Sequence, residues 1–484
     1  MHTEPAGNAP VVIQPGQGVR LGWLIGLTES HVVLGVLCKE SRWIGFAHAM
    51  GTLAFGMYLV VAGRSREQVA CWVAYAVGAE VLWRMSDDPL PWEYAKYTVS
   101  LVMLTVLVRQ GIKRFVWVPI LYFVFLVPGA AVTLSEQPFS IARQYISFNL
   151  SGPLCVAVCA LFFSQVSLHG GQIQRLLSWL VAPISGIAGA ALFGLLTHTD
   201  IQFGSSSNFA ASGGFGPNQV SACLGLGALY LVLMALSLRL HIGLHLMVAL
   251  MAVWFCAHAA LSFSRSGIYL FGAALLAAMP FLSLRRLLHP LTLAAACLAI
   301  LAGVGAWGYM DHLTGGKLSE RFASLSTSGR DRIAAEDLSI WREHPILGAG
   351  LGMSKTDREA EGGPRAAAHT EYTRLLADHG LLGMFALFLL LASTVVNALR
   401  RRPGFAKPVV IAGTAWAILY LAVSGIRTAA PAFLIGLGFA QASALPNLAP
   451  RRRRGVRHAL GAPDPVVGSR ELIVDRQWSV VRTP

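Results

Sequence analysis

Charged side chains are scarce in this sequence, and their scarcity indicates the class of protein. Only 13% of the 484 residues are Asp, Glu, Lys or Arg, about half of the roughly 25% found in soluble globular proteins. Hydrophobic residues make up 55% of the chain, in runs long enough to span about 30 Å of hydrocarbon. The short alternating segments of a transmembrane barrel are lacking. The composition therefore predicts an all-α protein, a polytopic bundle of membrane-spanning helices.

The absence of other sequence patterns argues against a nucleic-acid-binding, disulfide-bonded or metal-binding protein. No basic face interleaved with aromatic residues is present, so the net charge of +14 does not predict nucleic-acid binding. The seven cysteines lie almost entirely within apolar runs, which favours small buried hydrophobes over disulfides or metal ligands. No acidic cluster calls for a metal, and no cofactor is expected. Residues 1–20 lack the basic and then apolar order of a cleavable signal peptide.

Apolar runs predict about fourteen helices, which gives a bundle of about 12 to 14 crossings because the first run is short. They cover residues 22–37, 43–62, 68–84, 95–110, 115–133, 150–167, 177–197, 218–237, 244–261, 266–284, 290–310, 378–399, 406–425 and 428–445. We therefore predict a cytoplasmic N-terminal segment at 1–20, transmembrane helices at 21–310, an external periplasmic loop at 311–377, transmembrane helices at 378–445 and a disordered cytoplasmic tail at 446–484.

Basic clusters in alternate loops predict the orientation of the bundle. They comprise Arg64 and Arg66, Lys113 and Arg114, Arg175, Arg239, Arg285 and Arg286, Arg400 to Arg402, and Arg451 to Arg454. By the positive-inside rule this side is cytoplasmic, so both termini are predicted to lie in the cytoplasm. The opposite, external loops would be 86–94, 134–149, 199–217, 262–266 and 311–377.

The long loop at 311–377 departs from the rule, because it carries seven arginines on the external side: 321, 330, 332, 342, 358, 365 and 374. An anionic substrate would explain such a cluster. Within the loop, Ile333, Leu338 and Trp341 recur at helical spacing. Residues 331–343 are therefore predicted to form a short amphipathic helix at the membrane surface.

Four motifs fall on the predicted external side. They are residues 213–219 (GGFGPNQ), residues 264–267 (SRSG), residues 328–330 (SGR) leading into 344–352 (HPILGAGLG), and residues 369–372 (HTEY) leading into 380–383 (GLLG). In this order they resemble the O-antigen ligase/polymerase superfamily of bacterial membrane glycosyltransferases. The segment HPILGAGLG, followed by His369 and DHGLLG, carries most of the resemblance.

The resemblance implies an enzyme that moves a glycan from an undecaprenyl-diphosphate carrier to an acceptor hydroxyl on the periplasmic face. Such an enzyme needs no metal and inverts the anomeric centre. Its implied partners are the lipid bilayer, the lipid-linked donor, and a glycan or lipid A-core acceptor in the synthesis of O-antigen or exopolysaccharide. Ligase and polymerase differ only in the acceptor, and the motifs leave that choice open.

Residue chemistry is compatible with this activity. A diphosphate leaving group develops negative charge, which arginine forks stabilise, and the motifs place Arg265 and Arg330 in that role, with Arg143 as a lesser candidate. Histidine titrates in the range that suits a base for the acceptor hydroxyl, and His369 is the predicted catalytic residue.

The remaining motif residues have more structural interpretations. Pro217 and Asn218 suit a helix start, and Gly348 and Gly350 suit a tight backbone path. Glu371 either orients His369 or is solvated. A membrane transporter is the second alternative, but the spans carry few charges and the polar residues collect in the external loops, which favours surface chemistry over transport.

Overall fold

The computed structural model describes residues 21–198, 201–204, 206–237, 240, 242–324, 329–360, 370–401 and 404–442. The first ten helices are α1 (Leu21–Glu40), α2 (Arg42–Val61), α3 (Arg66–Met85), α4 (Tyr94–Gln110), α5 (Trp117–Leu126), α6 (Pro128–Glu136), α7 (Phe139–Ser164), α8 (Gly170–Thr197), α9 (Pro217–Ser237) and α10 (Ile242–Leu261).

The other helices are α11 (Ser266–Ala278), α12 (Leu284–Leu287), α13 (Pro290–Leu313), α14 (Lys317–Ala323), α15 (Arg330–Glu343), α16 (Met353–Ala360), α17 (Glu371–Arg400), α18 (Ala406–Ser424) and α19 (Ala430–Phe439). Two 3-10 turns occupy Ala210–Ser212 and Met279–Phe281, and the short strands β1 (Ser167–Leu168) and β2 (Gln441–Ala442) pair in parallel. The predicted all-α class is confirmed.

Each of the predicted spans coincides with a helix in the described part of the chain. Nine helices there are long and apolar enough to cross a bilayer: α2, the continuous pair α5 and α6, α7, α8, α9, α10, α13, α17 and α18. The apolar helices α11 and α19 are shorter, whereas α3 carries several charged residues and α4 has 17 residues.

Helix α13 illustrates why this bundle needs a bilayer. Only 11% of its most apolar stretch is buried, and Ile300, Leu301 and Val304 are each at least 64% exposed. In water such a face would carry the full cost of hydrating apolar surface. Lipid hydrocarbon removes that cost, so the structure is that of a multi-pass membrane protein.

The helices are packed around α8, α7 and α9. Helix α8 packs against α1 and α3, α7 packs against α19 and α4, and α9 packs against α10 and α11. Small residues allow close helix crossings: a Cβ on Gly225 of α9 would lie 2.3 Å from the carbonyl oxygen of Gly267 in α11. This close approach is typical of helix pairs in membranes, and it fixes the position of the motif that precedes Gly267.

The predicted external loops are more helical than expected. Residues 134–149 were expected to be a loop, but α6 runs to Glu136 and α7 begins at Phe139. The single helix predicted at 115–133 is divided into α5 and α6 at Pro128, because proline cannot donate to the preceding turn. The amphipathic helix predicted at 331–343 is confirmed as α15, with Ile333 and Ile340 buried.

Candidate active site

A break in α17 organises the strongest motif. Gly380 has φ 60° and ψ −146° inside this helix, so the carbonyls before it are free to accept bonds from elsewhere. The N–H of Ala349 donates to Ala377 O at 2.8 Å, and the N–H of Leu381 donates to Pro345 O at 2.9 Å. Residues 345–350 therefore lie along the broken turn, which satisfies the backbone groups that the break exposes.

The glycines of this motif allow close packing. Gly348, Gly350 and Gly352 have φ of +73°, +102° and +74°, a region that residues with a Cβ rarely adopt. A Cβ on Gly348 would lie 2.3 Å from the carbonyl carbon of Asp378, and one on Gly352 would lie 2.8 Å from Nδ2 of Asn149. The segment 344–352 and the broken turn of α17 at 377–383 are therefore packed backbone against backbone, and each requires the glycines of the other.

The start of α17 carries a buried charge cluster. Arg374 pairs with Glu371 and, at 3.3 Å, with Asp378, and it donates to Oδ1 of Asn149 at 2.6 Å. Both carboxylates are 1% exposed. Glu371 is therefore buried against Arg374 rather than solvated. The spacing i, i+3 and i+7 brings the three side chains to one helix face.

A cavity of about 570 Å³ opens beside this cluster. Six cationic residues line it: Lys96, Arg143, Lys355, Arg358, Arg374 and Arg427. Three carboxylates line it: Glu93, Glu371 and Asp378. Arg374 is bound by Glu371 and Asp378, and Arg358 by Asp337, yet the lining still carries more positive than negative charge. This balance favours an anionic ligand.

Lys96 and Arg143 are the cations of this cavity best placed to meet a ligand. Lys96 is 1% exposed, and its ammonium lies 5.8 Å from the ring centre of Phe148. Within the described ranges, neither side chain makes a hydrogen bond or an ion pair. A buried ammonium without a partner carries a large desolvation cost, which an anion bound in the cavity would offset.

The other two predicted donor-binding arginines lie together in a second group. Arg330 lies within electrostatic range of Arg265, Arg321 and Arg427, and of these four arginines only Arg427 lines the large cavity. Burial, and then the neighbouring Arg265, Arg321 and Arg427, lower the pKa of Arg330. Repulsion between neighbouring guanidinium groups raises the free energy of the folded protein, and a bound anion would offset that repulsion.

The SRSG motif positions Arg265 through contacts at the α9–α11 crossing. Ser264 donates through Oγ to Oδ1 of Asn218 at 2.7 Å, and Pro217 is the first residue of α9. Ser221 donates through Oγ to Ser264 O at 2.9 Å. The Arg265 guanidinium donates to Ser324 O, so the arginine reaches the segment that leads to α15.

His369 and Ser328 lie outside the described residues. Thr370, the next residue after His369, caps α17: its Oγ1 accepts the N–H of Tyr372 at 3.2 Å. Glu371 then lines the large cavity. The described chain therefore resumes at Thr370, and the second described residue, Glu371, already lines the cavity.

Some arginines of the long loop are satisfied within the protein. Arg332, Arg358 and Arg374 pair with Glu336, Asp337 and Glu371, respectively. An anionic substrate is therefore not needed to explain these three. Their partners are short-range in sequence for Arg332 and Arg374, but Asp337 and Arg358 come from different helices, so only the structure reveals that pair.

The charged lining residues that the sequence analysis missed include Lys96, Arg427 and Glu93. Lys96 lies in the first turn of α4, whose sequence predicts an ordinary membrane span. Glu93 precedes the same helix, and Arg427 lies in the short connection after α18. A signal was present for Lys96, because a lysine within an apolar helix is expensive and marks a functional position. Nothing local distinguishes Arg427.

Residues 246–388 match the family model described as O-Antigen ligase. The matched region extends from α10 into α17 and includes Arg265, Arg330 and His369, whereas Lys96, Arg143 and Arg427 lie outside it. A comparison with curated proteins finds no match. Over this region, the match confirms the resemblance to the O-antigen ligase superfamily that was drawn from the motifs.

Proposed function

We propose that this membrane enzyme transfers a glycan from an undecaprenyl-diphosphate carrier to an acceptor hydroxyl at the periplasmic face of the inner membrane. The observation that carries the proposal is the cavity of about 570 Å³, whose lining has six cationic residues against three carboxylates. Two of these cations, Lys96 and Arg143, are in no ion pair among the described residues. This excess of positive charge fits a diphosphate. The cavity lies beside α17, the helix that follows His369 in the chain.

The chemistry requires stabilisation of the leaving group above all. As the glycosidic bond breaks, the diphosphate gains negative charge, and fixed cations in a partly desolvated cavity interact with that charge strongly. Lys96, Arg143 and Arg427 are proposed to hold the diphosphate in the cavity. Arg265 and Arg330 extend the positive surface beyond Arg427 and guide the donor headgroup into place.

Proton transfer is assigned to His369. A neutral imidazole accepts the proton of the acceptor hydroxyl, whose oxygen attacks the anomeric carbon from the face opposite the diphosphate and inverts that centre. The residues proposed here need no metal for this step. Glu371 acts on the site through Arg374, whose guanidinium it holds in the cavity wall.

Ligase and polymerase activities differ in the source of the acceptor hydroxyl. Proteoliposomes that contain the lipid-linked donor alone distinguish them, because a polymerase elongates under these conditions and a ligase requires added lipid A-core or another acceptor. The charged residues Arg84, Lys96 and Arg374 lie in end turns of α3, α4 and α17. This placement supports chemistry at the membrane surface over transport through the bilayer.

Replacement of Lys96 by Met is expected to weaken inhibition of transfer by inorganic pyrophosphate about ten- to a hundred-fold. A hydrogen bond to a charged group contributes about 1.5–3 kcal/mol, and each 1.4 kcal/mol is about tenfold in affinity. Met keeps the length of the side chain and removes the buried charge, so the fold is preserved.

Lys407→Met is the matched control, because the Lys407 ammonium lies over the ring of Phe281 at 4.8 Å and outside the cavity lining. This variant should be inhibited like the wild type. If Lys96→Met is also inhibited like the wild type, Lys96 does not bind the diphosphate. The measurement is the inhibition constant of pyrophosphate with purified protein in proteoliposomes.

A cysteine placed at Glu343 in a cysteine-free background should react with a membrane-impermeant maleimide in intact spheroplasts. Glu343 is exposed, whereas Ser354 of the same loop is 2% exposed and would not report sidedness. A cysteine at exposed Arg64, in a predicted cytoplasmic loop, should react only after permeabilisation. The reverse pattern would place the cavity on the cytoplasmic side and contradict a periplasmic reaction.

A further inference from the structure

A second, smaller cavity of about 130 Å³ lies at the connection between α3 and α4. Its lining combines aromatic rings with carboxylates: Trp83, Trp92, Tyr94 and Phe215 with Glu80, Asp87 and Asp88. Pockets for drug-sized ligands are several times larger, so this one has room for a single ring-sized group. The residues proposed for the diphosphate do not line it.

Trp92 provides a rigid and accessible surface in this cavity. The guanidinium of Arg84 lies 4.5 Å from the centre of its indole ring, and the ring of Phe215 lies 5.6 Å away. Even so, Trp92 is 42% exposed. A flat apolar ring of this kind packs against the apolar C–H face of a sugar, as aromatic side chains do in ligand sites generally.

Asp88 supplies an unused hydrogen-bond acceptor beside that ring. One carboxylate oxygen accepts the N–H of Leu90 at 3.3 Å. The other, Oδ2, is buried, and the Ser86 hydroxyl beside this carboxylate donates to Trp83 O at 2.6 Å, which leaves Oδ2 without a well-formed hydrogen bond among the described residues. Buried acceptors are nearly always paired in folded proteins, so this oxygen calls for an external donor. A sugar hydroxyl is a donor of that kind.

Asp87, the neighbouring residue, has strained backbone geometry. Its φ is 53°, one of two positive values among the described residues other than glycine. Such conformations are costly for residues with a Cβ and concentrate at functional sites. The surrounding structure holds Asp87 in this conformation, and the resulting turn between α3 and α4 lines the cavity.

Arg84 joins the two cavities. It donates to Trp92 O at 2.9 Å and to Arg427 O at 3.0 Å, and it pairs with Glu80 at 2.6 Å. Arg427 lines the large cavity, as does Glu93, the residue after Trp92. If the diphosphate of the donor binds in the large cavity, the sugar attached to that diphosphate therefore lies close to the small cavity.

We infer that the small cavity binds one sugar ring of the donor glycan. The C–H face of the sugar packs against Trp92, and one sugar hydroxyl donates a hydrogen bond to Asp88. This inference rests on the proposed function, because it takes the large cavity as the diphosphate site. The first motif gains a role from it, since Phe215 of residues 213–219 packs against Trp92 and Gln219 accepts a bond from Arg84 at 2.8 Å.

Two variants test the inference with the full chain in detergent micelles, Trp92→Ala and Asp88→Asn. The probes are the free glycan, released by mild acid from the lipid-linked donor of the same cells, and inorganic pyrophosphate. Both variants should bind the free glycan at least about tenfold more weakly, the effect of losing a stacking or hydrogen-bonding contact. Pyrophosphate binding should stay at the wild-type value, which also shows that the variants are folded.

Trp43→Ala is the matched control for the indole. Trp43 is 58% exposed, lies 5.2 Å from the Arg42 guanidinium and 6.0 Å from the Phe46 ring, and lines neither cavity. This control should bind both probes like the wild type. If it loses the glycan as Trp92→Ala does, exposed tryptophans act as membrane anchors and the inference is overturned.

The remaining outcomes separate the inference from the proposed function. Wild-type protein that binds pyrophosphate but not the free glycan would overturn the sugar subsite alone. Unchanged glycan binding in both Trp92→Ala and Asp88→Asn would do the same. Wild-type protein that binds the glycan at Trp92 but not pyrophosphate would leave the subsite standing and remove the diphosphate site.

Discussion

Replacement of His369 by glutamine is expected to lower glycan transfer by roughly a hundred- to ten-thousand-fold, the usual contribution of a general base. Glutamine keeps hydrogen-bonding capacity but cannot take a proton at neutral pH, so the variant separates basicity from positioning. Binding of pyrophosphate should remain near the wild-type value, because Lys96, Arg143 and Arg427 are unchanged. The assay is transfer from lipid-linked donor in proteoliposomes, with folding checked by gel filtration in detergent.

His344→Gln is the matched control, since His344 is an exposed histidine of the same loop at the end of α15. It should transfer at the wild-type rate. Retention of more than about a tenth of the rate by His369→Gln would show that proton abstraction by this residue is not required. His369 would then be reassigned to positioning of the acceptor.

Replacement of Asp337 by asparagine is expected to destabilise the loop structure by about 3–5 kcal/mol, the typical cost of breaking one buried ion pair. Asp337 of α15 is fully buried and pairs with Arg358 of α16, which is 1% exposed. Thr373 of α17 donates through Oγ1 to the same carboxylate at 2.8 Å. Asparagine removes the countercharge that joins the three helices and leaves the buried guanidinium undercompensated.

Glu336→Gln provides the control on the neighbouring residue. Glu336 pairs with Arg332 at 2.9 Å, but the Arg332 side chain is 66% exposed, and pairs of this kind contribute about 0–1 kcal/mol. The measurement is the temperature at which half of the detergent-solubilised protein is lost from the folded gel-filtration peak. Equal temperatures for Asp337→Asn and Glu336→Gln would show that the buried pair does not stabilise the loop.

The positions of the helices followed from the sequence because hydropathy is a local property. A run of apolar residues must satisfy its backbone internally wherever it meets lipid, so the runs predict helices without knowledge of their neighbours. The ends were less predictable. Phe139 begins α7 and Glu371 begins α17. The polar first turns of these helices were missed because bonds such as that from Arg374 of α17 to Asn149 of α7 follow from no apolar pattern.

The candidate site divides in the same way. The motifs by themselves carried the resemblance to the superfamily, and they selected Arg265, Arg330 and His369 as candidates for the donor and the base. Arg143, the lesser candidate from residues 134–149, lines the large cavity. Each of these predictions used residue chemistry and order along the chain, which are present in the sequence before folding.

Only the tertiary structure brought Lys96, Arg143 and Arg427 to one cavity and set Trp92 beside Asp88 in another. Lys96, Arg143 and Arg427 come from distant parts of the chain, so no spacing rule connects them. Trp92 and Asp88 are close in sequence, but Phe215 meets them only in the folded protein. The tertiary structure also pairs Arg358 with Asp337 and Arg374 with Glu371, which neutralises both arginines. The physical reason is that burial and pairing depend on neighbours in space, and the cost or benefit of a charge is set by both.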